Sequence, residues 1–209
     1  MLGSRALTPE EISTIRMQFK RIASIPVARR SEAVFVLSLA CGLRESEAIS
    51  VEVGDIWHHG KFSGILYLRR QETKGKKHGA RIPINPDAAE VLEAWAQYAK
   101  LDLNNTTAPL FPALKSSCCP KPTWEYNRHT QRNAYQKVFH SCVSSLGLTG
   151  RVTTHSARKT FGMAVFKATG HNPLAAKMAL RHSSLVSTMH YLSIGEEEVQ
   201  NAIMGMCLR

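Results

Sequence analysis

The sequence has little from which to build a disulfide scaffold, a membrane anchor or a metal cage. Its cysteines number five, an odd count at irregular spacing, and Cys118 and Cys119 are adjacent rather than set two apart. Such usage fits free thiols in a reducing compartment and offers no paired zinc-ligand motif, so no metal is expected. Cys41 and Cys142 stand in apolar helical surroundings, where a thiol packs as a small hydrophobe. No run of 18 apolar residues occurs, which excludes a membrane-spanning helix. The opening Met1-Leu2-Gly3-Ser4-Arg5 lacks the apolar centre of a secretion signal, so the expected location is cytoplasmic. Acids are also scarce: from Asn104 to Gly195 the only one is Glu125.

What is present is positive charge. Against 16 acids the 209 residues carry 27 Lys and Arg, a formal net charge of +11. The acid-poor stretch holds eleven of those bases, among them Arg128, Arg132, Arg158, Lys159 and Arg181. A second block, Lys61 to Arg81, carries seven bases against Glu72 alone. A surface of this kind suits a polyanion, and nucleic acid is the commonest one. The plainer alternative is a soluble basic protein with a solvated surface. An apolar content of 44% excludes a wholly disordered chain.

Local patterns predict a mostly helical α+β fold with one small antiparallel sheet or hairpin. Thr8-Pro9-Glu10-Glu11 is a capping box with Pro at the first helical position, and Ile12, Ile15, Phe19 and Ile22 follow at helical spacing. A second helix is expected from about Ser31 to Cys41, stopped by Gly42, and a short third one capped by Ser46. Residues 64–68 and 80–84 read as strands flanking a polar, basic tip. Asn85-Pro86-Asp87 opens another helix. Residues 103–125, with four prolines, read as a long internal loop, because too little core follows for a separate domain. Helices are then expected over about 130–146, 156–169 and 173–180, a capped turn after Ser183 or Ser184, and an amphipathic helix over 196–206. The whole of 1–209 is therefore expected to form one domain. Trp57, Trp95 and Trp124 read as packing residues.

Several residues carry chemical potential, each with an ordinary alternative. His155 and Arg158 stand three apart at a helix start, where two side chains and the helix N-terminus can address one phosphate. Alone, that spacing is common. Arg44 follows the Gly42 stop, and Glu47 is placed to hold it; an ordinary surface ion pair would look the same. Lys74 lies in the basic tip with Lys76 and Lys77, which could enter a DNA groove or be a solvated turn. Tyr191 stands nine residues after His182. A tyrosine attacks at neutral pH only if its proton is removed and its target phosphate neutralised, since its ordinary pKa is about 10. Tyr126 and Tyr135 lack a histidine at that spacing. Arg81, Arg128, Arg132 and Lys159 are further candidates for DNA backbone contact.

Together, Arg44 in Gly42-Leu43-Arg44-x-x-Glu47, Lys74 on a hairpin, His155-x-x-Arg158, His182 and Tyr191 resemble the tyrosine recombinase, or phage integrase, family. The resemblance runs from about Thr8 to the C-terminus and implies the family's catalytic-domain fold. It implies a site-specific DNA recombinase acting through a 3′-phosphotyrosine intermediate in integration, excision or inversion. In that pattern Tyr191 is the nucleophile and Arg44 and Arg158 grip the non-bridging phosphate oxygens. His182 donates a further hydrogen bond, His155 accepts the tyrosine proton, Lys74 protonates the leaving 5′-hydroxyl and Glu47 orients Arg44. No metal or ATP is implied. The implied partners are double-stranded DNA at a specific site, further copies of the chain assembled on DNA through the 196–206 helix, and accessory DNA-bending proteins; no membrane is involved. In a bacterium the enzyme would be nucleoid-associated. Ala157 stands where many members have Leu, and Arg181 where Gly is frequent. No N-terminal domain that clamps the far side of DNA is evident, so the chain is expected to be either a fragment of a two-domain enzyme or one of the short forms, such as the fimbrial switch invertases. A type IB topoisomerase or telomere resolvase, a non-cleaving DNA-binding relative and an anion-binding scaffold are the other readings.

Overall fold

The computed structural model describes residues 4–69, 79–114, 128–192 and 204; the side chains of residues 128–130, 190 and 191 lie outside that description. Two compact units are present, Met1–Phe161 and Gly162–Arg209.

In the first unit, α1 (Pro9–Lys20) starts at the expected capping box. Thr8 Oγ1 accepts the Glu11 N–H at 3.2 Å, and the Glu11 carboxylate accepts the Thr8 N–H at 3.0 Å. α2 (Ile25–Cys41) begins six residues before the expected Ser31, with Pro26 in its first turn. The added turns carry the basic Arg29-Arg30 pair. Of the two, Arg30 is buried, donating to the carbonyls of Phe111 and Pro112 and, at 2.9 Å, to Gln131 Oε1. α2 ends where Gly42 turns left-handed at φ 58°. A Cβ there would lie 2.2 Å from the Phe161 ring, so glycine serves both the turn and the close approach.

α3 (Glu45–Ile49) follows directly, and its cap differs from expectation. Arg44, not Ser46, is the N-cap residue, because Glu47 reaches back to accept the Arg44 N–H at 2.8 Å. After a 3-10 turn at Val53–Asp55, β1 (Trp57–His58) and β2 (Lys61–Phe62) form an antiparallel ribbon around His59 and Gly60. β3 (Ile65–Leu68) pairs antiparallel with β4 (Ala80–Pro83), Leu66 opposite Ile82, as the expected hairpin. The β1–β2 ribbon is an addition to the single sheet expected. Its strands are two residues long, too short for an alternating pattern to reveal.

α4 (Pro86–Tyr98) is capped by Asn85, whose side chain accepts the Ala88 N–H at 2.8 Å. Of the loop expected over 103–125, the described residues 103–114 form loop. The loop is tied down by the buried Trp95, which donates from its indole to Leu110 O at 2.8 Å and stacks on Phe111. α5 (Arg128–Ser144) and the start of α6 (Thr154–Ala168) complete this unit. Its core centres on Phe19, Phe35 and Phe139 from α1, α2 and α5, with ring centroids 5.8–6.4 Å apart. Cys41 and Cys142 are buried there as free thiols, and Trp57 is buried as well.

In the second unit, α7 (Pro173–Leu180) is capped by Asn172, whose side chain accepts from Leu174 and Ala175. α8 (Leu185–Leu192) starts after Ser184, whose hydroxyl accepts the Val186 N–H. Phe166, Ala176 and Leu192 form a small core of their own with Met163 beside it. Gly162 lies against Leu180, where a Cβ would meet the Leu180 side chain at 2.7 Å. Trp124, the Lys74–Lys77 tip and all of 196–206 but Met204 lie outside the described residues.

Candidate active site

The junction of α2 and α3 meets the start of α6 in a buried network of charge. Arg44 donates from its guanidinium to Glu47 Oε1 at 2.6 Å while its backbone N–H is held by the other oxygen. Arg158, fully buried on α6, donates to the carbonyl of Gly42 and lies 3.4 Å from Glu47 Oε2. One carboxylate thus serves both arginines, and with only 2% of its side chain exposed it is shielded from solvent and salt. The sequence assigned Glu47 to Arg44; its service to Arg158 comes from the fold. Gly42 is the left-handed cap of α2, and its carbonyl accepts from Arg158 at that turn.

Residues 153–156 organise the start of α6. The Thr153 N–H donates to Ser156 Oγ at 3.1 Å, and Thr153 Oγ1 accepts the His155 N–H at 3.2 Å. Although Arg158 is buried, His155 is exposed. Its pKa is nevertheless lowered, first by the partial desolvation that the surrounding protein imposes on the ring. Glu45 opposes this by favouring the charged form, and Arg158, Arg44 and Arg132 add to the lowering. An imidazole of this kind stays neutral to lower pH than usual, as a proton acceptor must. The next residue after Arg158, Lys159, has a pKa lowered by burial.

Glu45 is a residue that sequence reasoning passed over. It is buried, and its Oε2 accepts from the Thr154 hydroxyl at 2.7 Å and from the Gln136 amide at 3.0 Å. Its Oε1 faces Arg132 Nε at 3.5 Å. Arg132, expected on DNA, is therefore partly engaged inside the protein, though its side chain remains 44% exposed. The available signal was an acid immediately beside Arg44 at the start of a helix.

The basic block around the hairpin is less free than its count suggests. Arg69 pairs with Glu52 and Asp55 and donates to Ser50 O at 2.9 Å. Arg81 is exposed and lies over the Tyr67 ring, its carbon 5.2 Å from the centroid. Lys74, Lys76 and Lys77 lie outside the described residues, and the Arg128 side chain likewise. Tyr135, a weighed rival nucleophile, is buried, with its pKa pushed well up by desolvation.

In the second unit His182 shares a hydrogen bond between Nδ1 and the buried Thr188 hydroxyl at 3.1 Å. That bond fixes the ring from within α8, the helix that also carries Tyr191. Arg181 is the left-handed C-cap of α7 at φ 56°. Where glycine is frequent in the resembling family, this chain places a residue with a Cβ and ties the arginine to Ala179 O at 3.1 Å. Among the described residues no three His, Cys, Asp or Glu side chains gather as metal ligands would. No helix among them is long and apolar enough to cross a membrane.

Residues 5–198 match the phage integrase family, and the chain belongs to it. A tyrosine recombinase XerC of Roseiflexus castenholzii is 25% identical over 196 residues, covering 92% of this chain and 56% of that protein. A tyrosine recombinase XerD of Proteus mirabilis is 25% identical over 177 residues, covering 84% and 51%. The chain spans about half the length of these curated relatives. Among solved structures, XerH site-specific recombinase bound to a palindromic difH substrate, a post-cleavage complex, superposes with a TM-score of 0.69 at 19% identity. It covers 96% of this chain and 52% of that one. The Tn1549 transposon integrase in complex with a circular intermediate DNA gives 0.64 at 19% identity, covering 98% and 66%. The fold is that of the tyrosine recombinases, a mostly helical α+β arrangement with small antiparallel sheets.

Proposed function

We propose that the chain, over 1–209, is the catalytic domain of a site-specific DNA recombinase. It would cleave and rejoin DNA through a 3′-phosphotyrosine intermediate. The observation that carries this reading is the Arg44–Glu47–Arg158 network, which positions two guanidinium groups, one from the α3 cap and one from α6, around one carboxylate. Guanidinium forks keep their charge at any working pH and match the geometry of a phosphate. Membership of the phage integrase family supports the same reading, as do relatives solved with DNA substrates.

In the proposed reaction the Tyr191 hydroxyl passes its proton to the neutral His155 imidazole, and its oxygen attacks the phosphorus. The bond to the 5′-oxygen breaks, and that oxygen takes a proton from Lys74. Arg44 and Arg158 neutralise the non-bridging oxygens as charge builds on them, and His182 donates a further hydrogen bond there. Attack by a 5′-hydroxyl from another DNA end then reverses the chemistry onto a new partner. The electrostatic role that a metal would play falls to the arginines. The partners proposed are double-stranded DNA at a specific site, further copies of the chain assembled on it through 196–206, and accessory DNA-bending proteins. The proposed location is the cytoplasm, at the nucleoid in a bacterium.

Covalent trapping tests this. The protein is incubated with fragmented DNA from its source, digested, and searched by mass spectrometry for a nucleotide-modified tyrosine, with Tyr191→Phe alongside. The expected result is an adduct on Tyr191 that disappears in the variant, and the attached DNA identifies the site. Salt-sensitive DNA binding with no adduct would mean a non-cleaving relative. Rejoining of the same strands alone would mean a topoisomerase.

A further inference from the structure

We propose that Glu45 is a positioning residue for His155, tying the start of α6 to α3 and α5 and acting through space on that imidazole. The proposal rests on the recombinase reading for its catalytic half and on geometry for the rest.

Three elements converge on this carboxylate. It sits on α3, one residue after Arg44, with 2% of its side chain exposed. Thr154, the residue before His155 and the first of α6, donates its hydroxyl to Glu45 Oε2 across 109 positions of sequence. Gln136, from α5, donates its amide to the same oxygen. A buried acid is retained at a cost unless its partners are well placed, and this one has partners on two other helices. Moving Glu45 moves the end of α6 from which His155 projects.

The same carboxylate sits in the electrostatic surroundings of His155. The charges acting on that ring are Glu45 from α3, Arg44 at the α3 cap, Arg132 from α5 and Arg158 from its own helix. Three cations favour the neutral imidazole and Glu45 favours the protonated one. Glu45 also faces Arg132 at 3.5 Å, which moderates that arginine's effect. The carboxylate therefore keeps His155 basic enough to take a proton in a setting of arginines that grip the phosphate. An acceptor too weakly basic loses driving force for the transfer.

The variants are E45Q, E45L and Thr154→Val in the 209-residue chain. Gln retains an oxygen for the Thr154 and Gln136 donors and removes only the charge. Leu removes both, and Thr154→Val removes the tether while leaving the carboxylate. The first readout is the His155 titration midpoint followed by NMR without DNA, independent of activity. The second is the pH profile of tyrosine adduct formation on DNA. In E45Q the midpoint is expected to fall, and the acid limb of the profile to move down with it. In Thr154→Val the rate is expected to fall at every pH with the acid limb in place. E45L is expected to do both, and if it does not fold, the other two variants carry the test. A His155 midpoint unmoved in E45Q overturns the coupling, and a wild-type rate in Thr154→Val overturns the tether. If the wild-type chain forms no adduct, the recombinase reading fails instead, and the midpoint still decides the coupling.

Discussion

Glu47 holds two arginines that lie 114 positions apart, and its removal should be felt at both. Glu47→Ala strips Arg44 of its carboxylate and removes one of the partners of the buried Arg158. Breaking a buried ion pair from one side costs about 3 kcal/mol or more, so a clear fall in midpoint is expected in chemical denaturation. Adduct formation should be lost as well, because Arg44 is no longer oriented. Arg44→Lys should preserve folding and still abolish the adduct, since an ammonium cannot reproduce the fork. His155 makes a separate prediction about pH. Its folded pKa is lowered, so the unfolded chain binds more protons between that value and the ordinary one near 6.5. The His155 contribution to stability is therefore complete above about pH 6.5 and declines as pH falls toward the folded value. Melting temperatures of the wild type and His155→Gln should converge or cross on acidification through that window, with the wild type losing more.

At the scale of elements, the α2–α3 junction is where backbone conformation and the geometry of the candidate site meet. Gly42 is left-handed and in contact with Phe161, and its carbonyl accepts from Arg158. Gly42→Ala imposes a strained conformation and a clash with an aromatic ring at once. An expected loss of roughly 2–3 kcal/mol would appear in urea denaturation as a lower midpoint with an unchanged slope. The caps of α1 and α4 were legible, because Thr8 with Glu11, and Asn85, act within three residues of themselves. The start of α2 was not, because Arg30 looks like a solvent-facing residue until Phe111, Pro112 and Gln131 are folded against it. The cap of α3 was misplaced for a related reason. Serine is the commoner cap, but here a carboxylate three residues on takes the N–H instead.

For the molecule as a whole, the net charge of +11 overstates the positive surface available to the proposed DNA partner. Arg30 and Arg158 are buried, Arg69 is paired with two acids, and Arg132 is shared with Glu45. On the proposed reading, the charge that remains supports an affinity dominated by phosphate contacts. Binding to duplex DNA should weaken steeply with salt, with a logarithmic slope of roughly −4 or steeper measured by fluorescence anisotropy. Arg69→Ala should change that slope little and lower stability, because its charge is spent on Glu52 and Asp55. Arg81→Ala should do the reverse. A slope near zero would remove DNA as the partner.

By itself the sequence determined the helices that announce their own caps, the β3–β4 hairpin, and the ordered set of Arg44, Lys74, His155, Arg158, His182 and Tyr191 through which the chain resembles its family. These are local or ordinal properties, set by spacing along the chain, and spacing survives without a fold. Tertiary structure decided which charges turn inward. Arg30 finds Gln131, Arg158 finds Gly42 and Glu47, and Glu45 finds Thr154, all across roughly a hundred residues of chain. A charged side chain leaves water only where a distant partner replaces its hydration, and no pattern within one segment encodes that partner.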